Sequence, residues 1–556
     1  MSASSKKKLR KEQTMAQLTE KQRREKAEAR KLKVYTWTFS IAMILVVCVA
    51  FGVIVGRYVN KSGVFQRNTI AAEIGNHKIN TVEMSYYFND AISNQYNTWY
   101  QEYQDYTDYY IQYMYGLNLS ESLEDQIYDQ STGKTWAEFF LDAAMDDIKQ
   151  CYALYDKAVS ENFQMPEANI KELEDSKDIM VQLAQLYSYD DVDDYLVSRY
   201  GYGADEESYQ KYLETTALAY AYNTQFVDTL VYDDATLRAH EKDIYNQFSS
   251  FTFSSYYMSY SSFISCTDED ADKHNHTDEE VAAARDALKA AAEGLAKATT
   301  VEELNKLISE LEINKNNTSA SVTKTENLLY SEANVALRDW LADESRQDGE
   351  IGAVANTATT QNEDGTETEE INGYYVVVYQ GKNDNTMFMT NVRHLLVAFE
   401  GGKQDSSGNT VYSDDEKAAA KKEAEELLKG WQESENPTKE SFIELIKKHS
   451  DDGSKDTGGL FENINPDSNY VENFLKWSID PDRKEGDVEI VETEYGQHIM
   501  YFDSYSETTY RDYLVSEDKK QHDYSDWMEG ILEGIEVIKK DTSRLDMDVI
   551  VSQSGY

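Results

Sequence analysis

The chain has 556 residues, 28% of them charged and 40% hydrophobic, which is typical of folded domains rather than of disorder. This length exceeds what one hydrophobic core accommodates, so three or four domains are expected. The formal net charge is −48, although residues 1–33 alone carry about +8. The acidic remainder repels phosphate backbones, which excludes nucleic acid as an expected partner.

Residues 34–56 form an uncharged run of 23 residues, which is long enough to cross a bilayer as a helix. Because Lys and Arg crowd its N-terminal side, the positive-inside rule predicts a basic cytoplasmic leader over 1–33 and an extracytoplasmic body. A cleaved signal peptide is the alternative, but its apolar region spans only about 7–15 residues. We predict a retained transmembrane signal anchor and a single-pass cell-membrane protein.

Three cysteines are too few for a disulfide framework, although one pair, Cys151 and Cys266, stays open. The pair His274-x-His276 lies in an acidic loop without further metal ligands. The acidic run 190–194 lacks the glycine turn and the distal Glu of a calcium loop, and suits the start of a helix. We therefore expect neither a metal nor a cofactor.

Residues 69–248 are predicted to form a mainly α-helical domain. Two strand patterns around Gly75-Asn76 predict a hairpin over 69–80, and a helix is expected to begin at Thr81. Apolar residues then recur at helical spacing in four further segments. These segments are 136–160, 167–187, 191–200 and 205–229.

Tyrosine is very frequent between residues 96 and 115. Spacings of three and four put several of these side chains on one face of a helix. Because Tyr combines apolar area with a polar tip, the face suits binding of client polypeptides; packing in the core or between domains is the alternative. The residues are Tyr96, Tyr100, Tyr103, Tyr106, Tyr109, Tyr110, Tyr113 and Tyr115, with Trp99 among them.

One spacing, Trp-x5-Arg-x2-Gly, occurs twice in the C-terminal half, each time followed by an acidic residue and a β-branched one. The matched residues are Trp340, Arg346 and Gly349, then Trp477, Arg483 and Gly486. We interpret 249–385 and 386–506 as two copies of one βααβ-type unit, an internal repeat. Tyr375 stands where the later copy has His498, so the earlier copy lacks part of the chemical equipment of the later one.

The later copy contains six short motifs in a fixed order. They are Arg393-His394-Leu395-Leu396, Ser450-Asp451, Gly458-Gly459, Phe474, Gly486-Asp487-Val488 and Tyr495-Gly496-Gln497-His498-Ile499. This order resembles the parvulin family of peptidyl-prolyl isomerases. The hairpin that opens a long helical region also resembles the SurA/PrsA type of extracytoplasmic foldase.

The resemblance implies an α+β fold: a SurA-N-like helical chaperone domain over 69–248 and two parvulin-like α/β domains, each a four-stranded antiparallel sheet with helices. The earlier one, 249–385, would be degenerate and the later one, 386–506, a parvulin-type isomerase domain. The tail, 507–556, would complete the helical domain. Its sequence predicts a helix around 527–540 and a strand around 545–551.

The resemblance also assigns roles to matching residues. The catalytic set would be His394, Asp452, Thr493 and His498, with the two histidines on adjacent strands beneath the site. The proline-binding pocket would be formed by Tyr470, Phe474 and Tyr495. Tyr470 stands where the family usually has methionine, which alters the expected shape of the pocket.

The predicted function is therefore that of a membrane-anchored extracytoplasmic folding factor of the bacterial envelope. It would act as a peptidyl-prolyl cis-trans isomerase in its second parvulin-like domain only, and as a chaperone for unfolded or translocating secreted proteins. The alternative is a non-enzymatic holdase or envelope scaffold in which both parvulin-like domains only bind.

Overall fold

The computed structural model describes residues 6, 62–103, 106–264, 276–317, 319–361, 367–405 and 410–547. The predicted anchor over 34–56 and, apart from residue 6, the predicted leader lie outside this part of the chain. Within the described ranges, none of the helices combines the length and the apolarity needed to cross a membrane. The chain divides into two units, Met1–Leu230 with Tyr524–Tyr556, and Val231–Asp523. They are called here the helical unit and the two-sheet unit.

The helical unit opens with a short helix and a hairpin, followed by six helices. The helices are α1 (Val64–Asn68), α2 (Thr81–Tyr103), α3 (Thr107–Tyr115), α4 (Trp136–Ser160), α5 (Glu167–Leu186), α6 (Val192–Tyr200) and α7 (Glu206–Asp228). The strands of the hairpin are β1 (Ile70–Ile74) and β2 (His77–Asn80), and a second small hairpin pairs β3 (Ile127–Asp129) with β4 (Lys134–Thr135).

Local signals in the sequence explain where these helices begin. Thr135 and Glu138 form a reciprocal capping box at α4, so two backbone N–H groups that lack partners in the helix are satisfied. Asp191 accepts a hydrogen bond from the backbone N–H of Asp194 and caps α6, which is the role of the acidic run. Helix α4 buries one face, including Phe140, in the main core of the unit. Amphipathic spacing and capping thus account for the helical fold.

The tail of the chain differs from its predicted structure. Helix α15 (Tyr510–Leu532) begins far before 527 and ends before 540, because Gly534 adopts a left-handed conformation with φ of +75°. Strand β15 (Val537–Lys539) follows and pairs antiparallel with β1, giving a three-stranded sheet of order β15-β1-β2. The described end of the tail, 545–547, is not a strand; instead Leu545 is buried in the main core of the helical unit.

The two-sheet unit contains two four-stranded antiparallel sheets. The first has strands β5 (Ser250–Ser259), β6 (Thr323–Leu329), β7 (Ile351–Gln361) and β8 (Glu367–Asn383). The second has β9 (Phe388–Ala398), β12 (Leu460–Ile464), β13 (Val488–Glu492) and β14 (Gly496–Thr509), and a small hairpin, β10 (Lys403–Gln404) with β11 (Thr410–Val411), branches from it. The strand orders, β6-β5-β8-β7 and β12-β9-β14-β13, are the same when each sheet is counted from its own first strand.

Helices occupy the same places in both sheets. Two helices connect the first and second strands, and one shorter helix connects the second and third. In the first sheet these are α9 (Asp278–Leu295), α10 (Val301–Glu310) and α11 (Val335–Ala342), preceded in the unit by α8 (Asp234–Glu241). In the second sheet they are α12 (Asp414–Gln432), α13 (Lys439–His449) and α14 (Glu472–Ser478).

The Trp-x5-Arg-x2-Gly spacing has one structural role in both sheets. The guanidinium of each Arg lies over the ring of its Trp, at 4.3 Å for Arg346 and 4.5 Å for Arg483. The N–H of each Gly then donates to the last strand of its sheet, from Gly349 to Tyr379 O and from Gly486 to Phe502 O. The repeated spacing therefore reflects how the shorter helix is joined to the sheet rather than chemistry at a site.

Cys151 is the one cysteine among the described residues, and it carries a free thiol. It accepts a hydrogen bond from the Tyr87 hydroxyl in the helical unit, and burial raises the pKa of its thiol to about 11. Its suggested partner, Cys266, lies outside the described residues.

Candidate active site

Two buried histidines lie side by side on the central strands of the second sheet. His394 is on β9 and His498 on β14, and because Met500 pairs with His394 in the register, the two imidazoles are diagonal neighbours. Their rings stack at 5.1 Å between centroids, and their Nδ1 atoms are 2.9 Å apart. One imidazole must donate this hydrogen bond and the other must accept it.

The surrounding contacts define a chain of hydrogen bonds through the pair. The Tyr495 N–H donates to Thr493 Oγ1 at 3.2 Å, and Thr493 Oγ1 lies 2.8 Å from His498 Nε2. If the Thr493 hydroxyl donates, His498 accepts at Nε2 and donates at Nδ1 to His394, whose Nε2–H then points to Asp452. In this assignment both ring nitrogens of His498 have a hydrogen-bond partner, and His394 Nε2 faces the Asp452 carboxylate without a hydrogen bond to it.

The protonation properties agree with this assignment. Burial, and then the neighbouring His394, lower the pKa of His498 to about 4. His394 Nε2 lies 3.5 Å from Asp452 Oδ1, too long for a strong hydrogen bond. The contact with His394 nonetheless holds the pKa of Asp452 well below its usual range, and the Ser454 hydroxyl and N–H lower it further. At neutral pH the site thus has an ionised Asp452 carboxylate and a neutral His498 imidazole.

A short loop brings Asp452 to the histidines. The Oγ of Ser450 accepts hydrogen bonds from Leu396 N–H at 3.1 Å and from Asp452 N–H at 3.2 Å. Asp451 N–H donates to Leu396 O at 2.9 Å, so two consecutive residues of the loop are attached to β9. The Ser450-Asp451 motif therefore attaches the loop to the backbone of β9, and the next residue carries the carboxylate of the site.

The glycine pair after this loop is required by a close approach of two backbone segments. Gly458 and Gly459 have φ values of +72° and +65°, which is the left-handed region that favours glycine. The His394 N–H donates to Gly459 O at 3.0 Å, and a Cβ on Gly459 would lie 2.3 Å from the His394 carbonyl oxygen. The pair thus places the loop directly against the strand residue that carries the first histidine.

Three aromatic rings cover the histidine pair on one side. Phe474, on α14, is buried and contacts His394 at 5.3 Å and His498 at 5.7 Å between ring centroids. Tyr470 lies 5.3 Å from Phe474, and Phe461, on β12, lies 5.0 Å from His394. Phe461 also contacts Tyr470 at 5.5 Å, so the three rings form one cluster, called here the aromatic cluster.

The structure brings most of the predicted site residues together and separates one. His394, His498, Thr493, Asp452, Phe474 and Tyr470 are connected by the contacts given above. Tyr495 lies in the turn between β13 and β14, where its side chain is 59% exposed and its backbone N–H reaches Thr493. Tyr495 thus takes part in these contacts through its backbone N–H rather than through its ring.

Phe461 is a member of the aromatic cluster that sequence reasoning missed. It follows the glycine pair by two residues on the short edge strand β12, opposite Val392 of β9. Its position two residues after the glycine pair, on a strand that pairs with β9, is the signal that the sequence contained. A single Phe in a polar segment is otherwise indistinguishable from an ordinary core residue.

The register of the first sheet identifies the corresponding positions there. Tyr375 pairs with Val354, the fourth residue of β7, as His498 pairs with Val491, the fourth residue of β13. Ser255 of β5 corresponds in the same way to His394. The first sheet therefore has a serine and a tyrosine where the second has its two imidazoles.

The described residues offer no arrangement suited to a metal ion: none of their His, Cys, Asp and Glu side chains form a group of three or more around a common point. The site in the second sheet has two imidazoles and one carboxylate, but the imidazoles bind each other through Nδ1.

Comparison with known proteins assigns this part of the chain. Residues 374–504 match the model of the PPIC-type PPIase domain. This match begins in β8 of the first sheet and includes the whole histidine site of the second. No curated protein matches the chain.

Three solved structures illustrate the similarity. PrsA from Bacillus subtilis is 15% identical, with 77% of this chain and 98% of that one covered and a TM-score of 0.23. PrsA from Bacillus anthracis is 19% identical, covering 27% and 59%, with a TM-score of 0.17. The PPIase domain of TbPAR42 is 22% identical, covering 20% and 98%, with a TM-score of 0.17. The assignment rests on the match to the domain model: residues 374–504 of this chain match a PPIC-type PPIase domain.

Proposed function

We propose that the second sheet catalyses cis-trans isomerisation of X-Pro bonds in unfolded polypeptides, as part of an extracytoplasmic folding factor anchored in the cell membrane. The observation that carries the proposal is the contact of one ionised carboxylate, Asp452, with a buried imidazole pair that is covered by the aromatic cluster. The match to the PPIase domain model supports the same reaction.

The reaction requires a site that favours a twisted amide. Partial double-bond character of the C–N bond opposes rotation by about 18–20 kcal/mol. A planar amide concentrates negative charge on its carbonyl oxygen, and twisting removes part of that charge. A carboxylate beside the carbonyl therefore repels the planar forms more than the transition state, which lowers the barrier. We place Asp452 in this role.

The aromatic cluster has the second role, which is to hold the proline ring. Phe474 is fixed by its contacts with both imidazoles, so its position is preorganised before a substrate binds. Tyr470 and Phe461 extend the apolar surface toward solvent, since both are only partly buried. The histidines and Thr493 are positioning residues in this scheme, because they support Asp452 and Phe474 from beneath.

The first sheet serves in binding rather than in catalysis under this proposal. Ser255 and Tyr375 replace the imidazole pair, and Leu337 precedes Trp340 by three residues where the second sheet has Phe474. The shared topology supports interpretation of the two sheets as copies of one unit, of which only the later retains the site. A first sheet without this chemistry also favours client holding as a second activity of the chain.

Isomerisation of a short X-Pro peptide by the full-length protein tests the proposal. Asp452→Asn keeps an oxygen that accepts from Ser454 N–H, so the turn is retained while the negative charge is lost. We expect kcat/KM to fall at least about tenfold, equivalent to about 1.4 kcal/mol of barrier. Asp456→Asn, an exposed change in the same turn, should leave kcat/KM unaltered.

Two outcomes would contradict the proposal in different ways. A full-length protein no more active than its Asp452→Asn variant would support the non-enzymatic holdase instead. Activity that persists in a double variant, Asp452→Asn with Phe474→Ala, would place isomerisation in the first sheet. Suppression of aggregation of an unfolded protein tests the holding activity separately.

A further inference from the structure

A row of tyrosines on the helical unit faces solvent instead of the core. Helix α3 is attached through Ile111, which is almost fully buried. On the opposite side, Tyr109 and Tyr113 are 64% and 72% exposed, and Tyr106, just before the helix, is 62% exposed. An apolar stripe at helical spacing normally packs inward. Large exposed aromatic side chains grouped in this way are typical of interaction surfaces.

The rings are arranged before any partner binds. Tyr109 and Tyr113 stack in parallel, with an interplanar angle of 3° and centroids 6.1 Å apart. Tyr110 contacts Tyr109 edge-on at 5.6 Å and stacks on Tyr103 of α2 at 5.0 Å. Rings held by their neighbours lose little conformational entropy on binding, which favours affinity.

The segment of the chain that carries this row has charges of one sign. Residues 79–133 contain eleven Tyr and nine Asp or Glu, but no Lys, Arg or His. Asp108 lies on α3 within the row, and Glu102 is exposed near the end of α2. The faces of tyrosine rings attract cations, and here no basic side chain of the same segment competes for them. The row and its carboxylates therefore complement a positively charged partner.

We propose that this tyrosine surface, formed by Tyr106, Tyr109, Tyr110, Tyr113 and Asp108, binds Lys- and Arg-bearing segments of unfolded polypeptides. The proposal rests on client holding as proposed above and names the class of client. Arginine is preferred over lysine, because its planar guanidinium stacks on aromatic rings and is less strongly hydrated. An anionic membrane surface is disfavoured as the partner, since the carboxylates would repel it.

Binding of fluorescent, unstructured peptides to the full-length protein tests this inference. Three peptides share one proline-free sequence and differ only in carrying Arg, Lys or Glu at the same positions. We expect affinity in the order Arg, Lys, Glu by fluorescence anisotropy, with weaker binding of the first two at raised salt. The absence of proline separates this binding from the isomerase site.

Variants assign the binding to the tyrosine surface. Tyr109→Leu with Tyr113→Leu keeps apolar side chains but removes two ring faces, and should weaken binding of the Arg peptide about tenfold. Tyr220→Leu is the matched control, because Tyr220 is 63% exposed on α7 of the same unit, and should leave the affinity unaltered. Asp108→Asn should weaken binding about twofold and reduce its salt dependence. Helix content measured by circular dichroism confirms folding of each variant.

The outcomes separate this inference from the proposed function. Equal affinity for the Glu peptide, or no effect of the double Tyr variant, overturns the inference while client holding survives. If no peptide binds, both the inference and client holding are wrong. The isomerase activity of the same preparation is measured separately and tests the proposed catalysis independently. Two further outcomes, each without an effect of the double variant on peptide binding, would overturn the inference. Loss of binding to zwitterionic vesicles would assign the surface to lipid headgroups, and loss of self-association would assign it to a second copy of the chain.

Discussion

Both ring nitrogens of His498 take part in the chain of hydrogen bonds beneath the site, Nε2 at 2.8 Å from Thr493 Oγ1 and Nδ1 at 2.9 Å from His394 Nδ1. A neutral imidazole suits these two contacts, because it donates at one nitrogen and accepts at the other. The buried environment enforces this state by lowering the pKa of His498 to about 4. The His498 imidazole therefore keeps the same charge across the physiological pH range.

This shift predicts a pH-dependent stability of the second sheet. An unfolded histidine binds its proton near pH 6.5, whereas His498 in the native state does so only near pH 4. Between these values the unfolded state binds more protons, so the free energy of unfolding falls as the pH decreases from about 6.5 to about 4, by up to about 3 kcal/mol. Hydrogen exchange of the β9 and β14 amides at several pH values measures it.

The matched variant for this prediction is His498→Gln, which lacks the titrating group. The difference in stability between the two proteins should depend on pH only within the stated window. The lowered pKa of Asp452 contributes in a separate window: its stabilisation is present above the unfolded value near 3.8 and is lost below it. A difference that is constant from pH 7 to pH 4 would contradict the assignment of a neutral, buried imidazole.

At the scale of elements, the loop between α13 and β12 determines whether the site is formed. Gly459 allows the loop to contact the backbone of β9 at His394, and the hydrogen bonds of Ser450 attach its other end. Asp452 lies between these two attachments. The backbone conformation of the loop therefore determines where the Asp452 carboxylate lies.

Gly459→Ala should disrupt this loop. A Cβ there would lie 2.3 Å from the His394 carbonyl oxygen, and the left-handed φ of +65° adds strain for any other residue. We expect a loss of about 2–4 kcal/mol in unfolding free energy, and a fall in kcat/KM at temperatures where the variant is still folded. Gly453→Ala is the control, because a Cβ there meets open space in the same loop. Equal melting temperatures for the two variants would show that the close approach is relieved elsewhere.

The order of short motifs predicted residues that the structure brings together, because those residues have unusual conformational requirements. A site that needs two glycines with left-handed φ and two histidines on adjacent strands can be recognised in a sequence, because few other residues meet these requirements. Phe461 left only its position two residues after the glycine pair, since an apolar residue on an edge strand meets no special requirement. The prediction for the tail was wrong for a related reason. Strand β14 continues to Thr509 and helix α15 follows immediately, so no turn or proline marks the boundary in the sequence.

The helical spacing of the tyrosines likewise did not predict which of them are buried. Spacings of three and four predict that side chains share a face, but not whether that face is buried. The aromatic side chains of this segment differ in the structure: Trp99 packs in the main core of the helical unit, whereas Tyr109 and Tyr113 face solvent. The difference depends on which other segments of the unit cover α2 and α3, and this is a property of the whole fold.

At the scale of the molecule, the helical unit is built from both ends of the chain. Strand β15 pairs with β1, and Lys540 adds an ion pair of 2.9 Å with Glu73 of that strand. Ile535 and Leu545 pack in the core that contains Phe88 and Phe140. The entire two-sheet unit is therefore inserted, in the sequence, between the parts of the helical unit.

Truncation after Glu533 should consequently destabilise the helical unit and spare the second sheet. It exposes the edge of β1 and removes the apolar contacts of Ile535 and Leu545, which contribute about 3 kcal/mol or more. We expect faster hydrogen exchange at Ile70–Ile74, with unchanged exchange at Gly496–Thr509 as the internal reference.

A second truncation, after Met547, provides the matched comparison, because it retains β15 and Leu545. Its exchange at Ile70–Ile74 should equal that of the full-length protein. Isomerase activity should survive both truncations, since the histidine site is built entirely within 391–505. A loss of activity that accompanies the faster exchange at β1 would mean that the helical unit stabilises the site, and that the tail links folding of one unit to function of the other.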